Sequence, residues 1–199
     1  MLTVILDEAP DAFYKIMRFY VPKGSRVLDI TYGHGKLWAS CPKDYYELVT
    51  NDVDPNSKAE YHLPFINLEA IPGSFHCVVY DPPYKYDTPS YKLYESIDED
   101  WTTVKTKWTI EDQINSARVL NSVLPRMMYP NGLLIVKIMD TRYKGKLILN
   151  HKILIDEFSN FEVKDLLVYI RLLVGLFRNT RVAQTAHGYY IVFKLKEAL

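Results

Sequence analysis

The stretch His76-Cys77-Val78-Val79-Tyr80-Asp81-Pro82-Pro83-Tyr84 constrains this chain more than any other, because an apolar, β-branched run passes directly into an acid, two prolines and a ring. Neither proline can donate a backbone hydrogen bond and each fixes its own φ, so a strand here must stop pairing at Asp81. Open α/β sheets bind their ligands outside the carboxyl ends of the strands. A strand ending in Asp81, Pro82, Pro83 and Tyr84 therefore displays a carboxylate, free carbonyls and an aromatic face on a rigid support where chemistry is expected. The competing reading of Asp81 is a strand-end turn with no chemistry, and the rest of the chain decides between them.

Upstream, Phe13, Ile16, Met17 and Tyr20 recur at helical spacing, which predicts an amphipathic helix over Asp11–Tyr20. Pro22 and Gly24 end it, and Arg26–Ile30 reads as a short buried strand leading into Thr31-Tyr32-Gly33-His34-Gly35. Glycine at such a turn lets backbone approach a ligand closely. Lys36–Ser40 has room only for a short helix before the next strand, Tyr45–Thr50. That strand ends in Asn51-Asp52-Val53-Asp54-Pro55. An acid at this place in nucleotide-binding α/β units accepts from the ribose hydroxyls, and Asp52 is the candidate, with Val53 offering an apolar face to adenine. Asp54, before a proline, is a turn former. From Asn56 to Gly73 the pattern is weak, with a short strand expected near Tyr61–Ile66.

Downstream of Tyr84, residues 85–108 are polar, rich in Tyr and Thr, and without a sustained period; a loop this long at a strand's carboxyl end reads as a substrate-side element. Thr109 with Asp112 has the form of a capping box, and Ile110, Ile114, Ala117, Leu120, Leu124 and Met128 make one helical face, which Pro125 should kink or stop. Asn131-Gly132 predicts a turn, Leu133–Met139 a buried strand, Lys146–Phe158 a helix, and Glu162–Arg171 and Tyr189–Lys194 two further strands. The last two are joined without a convincing helix, so an antiparallel pairing is expected.

The 199 residues suit one domain, 1–199, with 85–108 as an insertion. Equal numbers of basic and acidic residues, 24 of each, argue against an extended nucleic-acid coat but leave room for a local basic patch. Cys41 and Cys77 form neither a disulfide framework nor a metal cluster, and a buried thiol is expected at Cys77. Sixteen tyrosines are read mainly as packing residues in sheets. The amino end is too short and acidic for a signal peptide and no apolar run reaches membrane-spanning length, so a cytoplasmic protein without a membrane partner is expected.

The succession of Asp29, the Gly33-x-Gly35 turn, a second strand ending in Asp52, and a strand ending in Asp81-Pro82-Pro83-Tyr84 resembles the class I S-adenosyl-L-methionine (SAM)-dependent methyltransferases, in particular those acting on exocyclic amino groups of nucleic-acid bases. The phrase Thr31–Trp38, with Asn51–Pro55 and Ser74–Tyr84, also resembles small DNA methylase-like proteins of phages and prophages. The resemblance covers most of the chain. It implies a three-layer, Rossmann-like α/β fold with a mostly parallel sheet and an antiparallel last strand. It further implies SAM as cofactor, held by Asp29, Ile30, Tyr32, Gly33, Gly35, Asp52 and Val53, and a catalytic set of Asp81, Pro82, Pro83 and Tyr84 without a metal. Two departures stand out: Trp38 lies where a dinucleotide fingerprint has its third glycine, and no carboxylate marks the third strand, where Glu60, Asn67 and Pro64 are the nearest residues for an adenine contact.

In this family the motif implies transfer of a methyl group to adenine N6, with DNA favoured over RNA as the nucleic-acid partner. The alternatives are guanine N2 or adenine N6 in RNA, cytosine N4 in DNA, or a non-catalytic binding module of the same fold. Hydrogen bonds from the amino group to Asp81 and the Pro82 carbonyl would localise its lone pair, and Tyr84 would stack on a base that is flipped out of any duplex. Residues 85–107, with Arg178, Arg181 and His187, are the candidates for substrate recognition, against a plain reading as solvated loop charge.

Overall fold

The computed structural model describes residues 2–87, 89–90, 106–170 and 187–197. In chain order the elements are β1 (Val4–Leu6), α1 (Ala9–Tyr20), β2 (Arg26–Asp29), β3 (Glu47–Thr50), β4 (Phe75–Tyr80), β5 (Pro89–Ser90), β6 (Thr106–Lys107), α2 (Ile110–Met127), β7 (Met128–Ile138), β8 (Thr141–Tyr143), β9 (Lys146–Ile148), α3 (Asn150–Glu157), β10 (Phe161–Ile170) and β11 (His187–Leu195). Seven strands make one sheet in the order β1-β10-β11-β7-β4-β2-β3. All pairings in it are parallel except the two made by β11, which runs antiparallel to β10 and β7.

The central strands read as unbroken apolar runs because both faces are covered. Val27, Val79, Ile135, Tyr190 and Val192 face α1, where Phe13, Ile16, Met17 and Trp38 close one core. Their neighbours Leu28, Val78, Leu134, Ile191 and Phe193 face the other way, onto Leu120 and Leu124 of α2 and Leu154 of α3. The expected three-layer α/β architecture is therefore present, with Cys77 fully buried in β4. Burial raises the Cys77 thiol far above its ordinary range.

The structure corrects three expectations and adds one strand. No strand forms over Tyr61–Ile66: only Tyr61 bridges to Asn51, and Phe65–Ala70 is a 3-10 helix. Pro64 lacks an N–H, and the buried Asn51 side chain takes the role of a partner strand by bonding both backbone groups of Leu63 at 2.9 Å. Asn131 adopts φ 62° inside a continuous β7 rather than ending it, as a bulge that shifts register between Phe75 and Cys77. The helix expected from Lys146 starts only at Asn150, because Lys144 and Gly145, at φ 49° and 79°, fold back as a β8–β9 hairpin. The edge strand β1 was not legible as a strand at all.

Other expectations stand. The Thr109 hydroxyl accepts from the Asp112 amide while the Asp112 carboxylate accepts from the Thr109 amide, which is a complete capping box. Pro125 lies in the last turn of α2, and the helix ends two residues later. Of the expected loop, β5 and β6 pair as a two-residue antiparallel ribbon, while residues 88 and 91–105 lie outside the described residues, as do Arg178 and Arg181.

Candidate active site

Three strand ends build the site: β2, β3 and β4 all stop at the same edge of the sheet. Asp29 closes β2 and is only 2% exposed. Its Oδ1 accepts from the Thr31 amide at 2.9 Å and its Oδ2 from the Trp38 indole at 2.6 Å, so the carboxylate shapes the glycine turn from beneath. This explains Trp38 at the third-glycine position: its ring N–H is a structural donor. Gly33 and Gly35 adopt φ 55° and 73°, and a Cβ on Gly35 would lie 2.5 Å from the Tyr32 hydroxyl oxygen. Burial pushes the Asp29 carboxyl up to about 7 despite these hydrogen bonds, with Asp81 and Asp52 adding to the rise.

At the end of β3, Asp52 is partly exposed. Its Oδ2 accepts from the Gly33 amide at 2.7 Å and its Oδ1 from the Asp54 amide at 2.8 Å. Burial raises its pKa as well, against those two backbone bonds. Asp54 accepts from the Asn56 amide at 2.9 Å and so is the turn former its sequence implied. Ile30 and Val53 are buried in the core, whereas Tyr32 is partly exposed. Glu60 and Asn67 are exposed and Pro64 is buried.

Asp81 follows β4. Its backbone amide donates to the Thr31 hydroxyl at 2.8 Å, which ties the acid-proline loop to the glycine turn across neighbouring strands. The Lys137 ammonium, on the adjacent strand β7, bonds both Asp81 oxygens, at 3.0 and 2.8 Å. The same Nζ lies 5.9 Å from the centroid of the Tyr84 ring. Burial pulls the Lys137 pKa down, but the Asp81 carboxylate outweighs it and the net shift is upward, so Lys137 is a cation at neutral pH. Sequence reasoning missed Lys137. The signal was there, as the one charge in the apolar run Leu133–Met139, since a lysine is rarely buried unless paired.

A second polar group rims the site beyond β7. The nearly buried Asp140 places both oxygens 2.8 and 2.9 Å from His151 Nδ1, whose ring lies 4.4 Å from that of Tyr189. His187 Nε2 is 3.1 Å from the Tyr189 hydroxyl. The Tyr86 hydroxyl, just past the acid-proline loop, donates to Asn150 Oδ1, and Asn150 Nδ2 donates to the Met139 carbonyl at 2.8 Å. Among the described residues no group of three or more His, Cys, Asp or Glu side chains is placed to hold a metal ion, and no helix is long and apolar enough to cross a membrane.

The site thus joins a glycine turn, an acid held by two backbone amides, and an acid-proline-aromatic loop at one sheet edge. No family model and no curated protein matches the sequence. Solved structures do match in fold. TrmN from Thermus thermophilus has a TM-score of 0.59 at 12% identity, over 94% of this chain and 48% of that one. A candidate rRNA-methylase from Clostridium thermocellum has 0.53 at 12% identity, over 96% and 99%. A SAM-dependent methyltransferase from Methanosarcina mazei has 0.56 at 14% identity, over 92% and 97%. This chain spans about half the length of TrmN and nearly all of the other two. The fold is the three-layer, Rossmann-like one of these proteins.

Proposed function

We propose that the chain is a SAM-dependent methyltransferase that acts on an exocyclic amino group of a nucleic-acid base, adenine N6 in DNA. The observation that carries this reading is Asp81-Pro82-Pro83-Tyr84 at the end of β4, bonded through Asp81 to the glycine turn of β2. The residues present fit the cofactor: Asp52 is acceptor-only, partly exposed and oriented by two amides, and each of its oxygens keeps a lone pair for a ribose hydroxyl. The left-handed Gly33 keeps the turn free of a side chain beside Asp52, where the amino-acid end would lie, and the Tyr32 ring closes over Gly35. When bound, SAM supplies an electrophilic sulfonium methyl.

An aromatic amine is a poor nucleophile because its lone pair is delocalised into the ring. Asp81 and the Pro82 carbonyl accept hydrogen bonds from its two N–H groups and draw the nitrogen towards tetrahedral geometry, and one of these protons is lost only after the methyl group has been transferred. Positioning is then the main contribution, since the attack needs alignment more than acid or base assistance. Asp81 offsets the positive charge that develops on nitrogen, and Lys137 fixes the plane of the carboxylate while leaving each oxygen a free lone pair. Tyr84 stacks on the base.

The test is transfer of labelled methyl from SAM to duplex DNA and to ribosomal RNA, followed by nucleoside analysis. N6-methyldeoxyadenosine from DNA is expected, with Asp81→Ala reducing transfer at least a hundredfold. RNA belongs in the assay because one protein of this fold is described as a candidate rRNA-methylase. No transfer to either polymer, or equal activity in Asp81→Ala, sinks the proposal.

A further inference from the structure

We propose that the β8–β9 hairpin is the surface that grips the sugar-phosphate backbone of the polymer substrate, with Arg142, Lys144 and Lys146 bonding the phosphates. The inference rests on the methyl-transfer reading only for where the polymer lies. From Thr141 to Lys152 the chain carries Arg142, Lys144, Lys146 and Lys152 and no acid, although basic and acidic residues balance at 24 each overall. Arg142, Lys144 and Lys146 are all exposed. Several other surface cations sit in ion pairs, Lys15 with Asp7, Arg26 with Glu47, Arg118 with Glu157 and Arg126 with Glu69, and Lys152 is itself paired with Asp156. Among the described residues, Arg142 and Lys146 are in no ion pair, while Lys144 has the Tyr143 hydroxyl beside it and feels the Asp87 carboxylate. The hairpin is therefore a local positive surface on a neutral chain, which is the electrostatic footprint of polyanion binding.

Its place and stiffness agree. β7 ends at Ile138, next to the Lys137 that touches Asp81, and Met139 and Asp140 lead from it to the hairpin at Thr141. Four residues span at most about 13 Å, so the hairpin lies within a few phosphates of a nucleotide held at Asp81. Both ends of the hairpin are pinned. Asp140 is clasped by His151, and the Tyr143 ring lies 5.4 Å from that of Tyr86, whose hydroxyl bonds Asn150 at the start of α3. A preformed two-stranded ribbon has the width of a duplex major groove and loses little freedom on binding. Lys144, at the tip, lies 4.9 Å from the Tyr143 ring centroid, so the tip offers a charge beside an aromatic edge.

The test is fluorescence anisotropy of the full chain with a short duplex DNA and a single-stranded RNA, titrated across salt. The variant Arg142→Ala/Lys144→Ala/Lys146→Ala is compared with Lys23→Ala/Lys43→Ala/Lys164→Ala, which removes as many exposed cations from the opposite edge of the sheet. On duplex DNA the hairpin variant is expected to bind at least about tenfold more weakly at low salt, and its slope of log K against log salt to flatten by about 2 to 3, near 0.9 for each phosphate no longer neutralised. The control variant should match the wild type. The single charge reversal Lys146→Glu should show the same direction if the triple variant unfolds early by circular dichroism. Equal weakening in both variants, an unchanged slope in the hairpin variant, or no binding of either polymer by the wild type overturns the inference. Larger hairpin effects on duplex than on single strand identify DNA as the polymer, and the reverse identifies RNA. Retained affinity in a hairpin variant that still transfers methyl sinks this inference alone; a hairpin-dependent grip without any methyl transfer sinks the catalytic reading alone.

Discussion

An ammonium within 3.0 Å of both Asp81 oxygens changes what that acid can do. It holds the carboxylate in one plane, so the free lone pairs point in fixed directions. Lys137→Met leaves a half-buried carboxylate uncompensated and should lower stability by about 1–2 kcal/mol. Adding Asp81→Asn should recover most of the loss, because the orphaned charge goes with it; urea unfolding of the single and double variants measures this coupling. Under the proposed function, Lys137→Met also lowers methyl transfer by about a hundredfold through misplacement of Asp81, while SAM affinity stays the same. Asp29 carries a pH signature. Folding raises its carboxyl from 3.8 to about 7, so between those values the folded chain holds a proton that the unfolded chain has released. Its contribution to stability is therefore undiminished below about pH 4, falls as pH rises to about 7, and is level above that. Asp52 is shifted the same way and adds its own slope. In thermal melts, Asp29→Asn should lose the Asp29 component, so its melting temperature gains on the wild type between about pH 4 and 7.

At the scale of elements, the capping box of α2 is both a prediction and a measure of what the sequence disclosed. Thr109→Ala removes the acceptor for the Asp112 amide and should cost about 1 kcal/mol, seen as a lower urea midpoint with an unchanged m-value. The box, strands β2, β4, β10 and β11, and the antiparallel β11 were legible because each is local: a spacing, a cap, or a run ended by proline. The candidate site was legible for the same reason, since Asp29, Asp52 and Asp81 each close a recognisable strand. What escaped depends on partners distant in the chain. Residues 146–158 carry an apolar spacing that suits a helix, yet the turn at Lys144-Gly145 recruits the first of them into β9. The strand expected over Tyr61–Ile66 failed because a buried amide, Asn51, does its hydrogen bonding. Lys137 is charged in an apolar strand, and only the position of Asp81 beside it gives it a purpose.

For the whole molecule, the glycine turn, Asp52 and the Asp81 loop form one ligand site only if the three strands are in register. Binding of S-adenosylhomocysteine should then raise the melting temperature in a concentration-dependent way, by the equivalent of about 2.7 kcal/mol at a hundred times its dissociation constant. Gly35→Ala should reduce that shift, because the new Cβ meets the Tyr32 hydroxyl and the left-handed φ becomes strained.

The hydrogen bond between Thr31 and the Asp81 amide spans 50 positions of the chain, and the one between Asp81 and Lys137 spans 56. Parallel pairing makes every such bond non-local, and loop closure must be met before any of them is rewarded. A growing chain therefore holds no assembled site until β7 has left the ribosome and docked beside β4. Refolding from urea should show helical signal returning first and ligand binding last, in a single slow phase. The centre is in this sense a record of completed folding: a chain that binds its ligand has, by that act, reported that its sheet is closed.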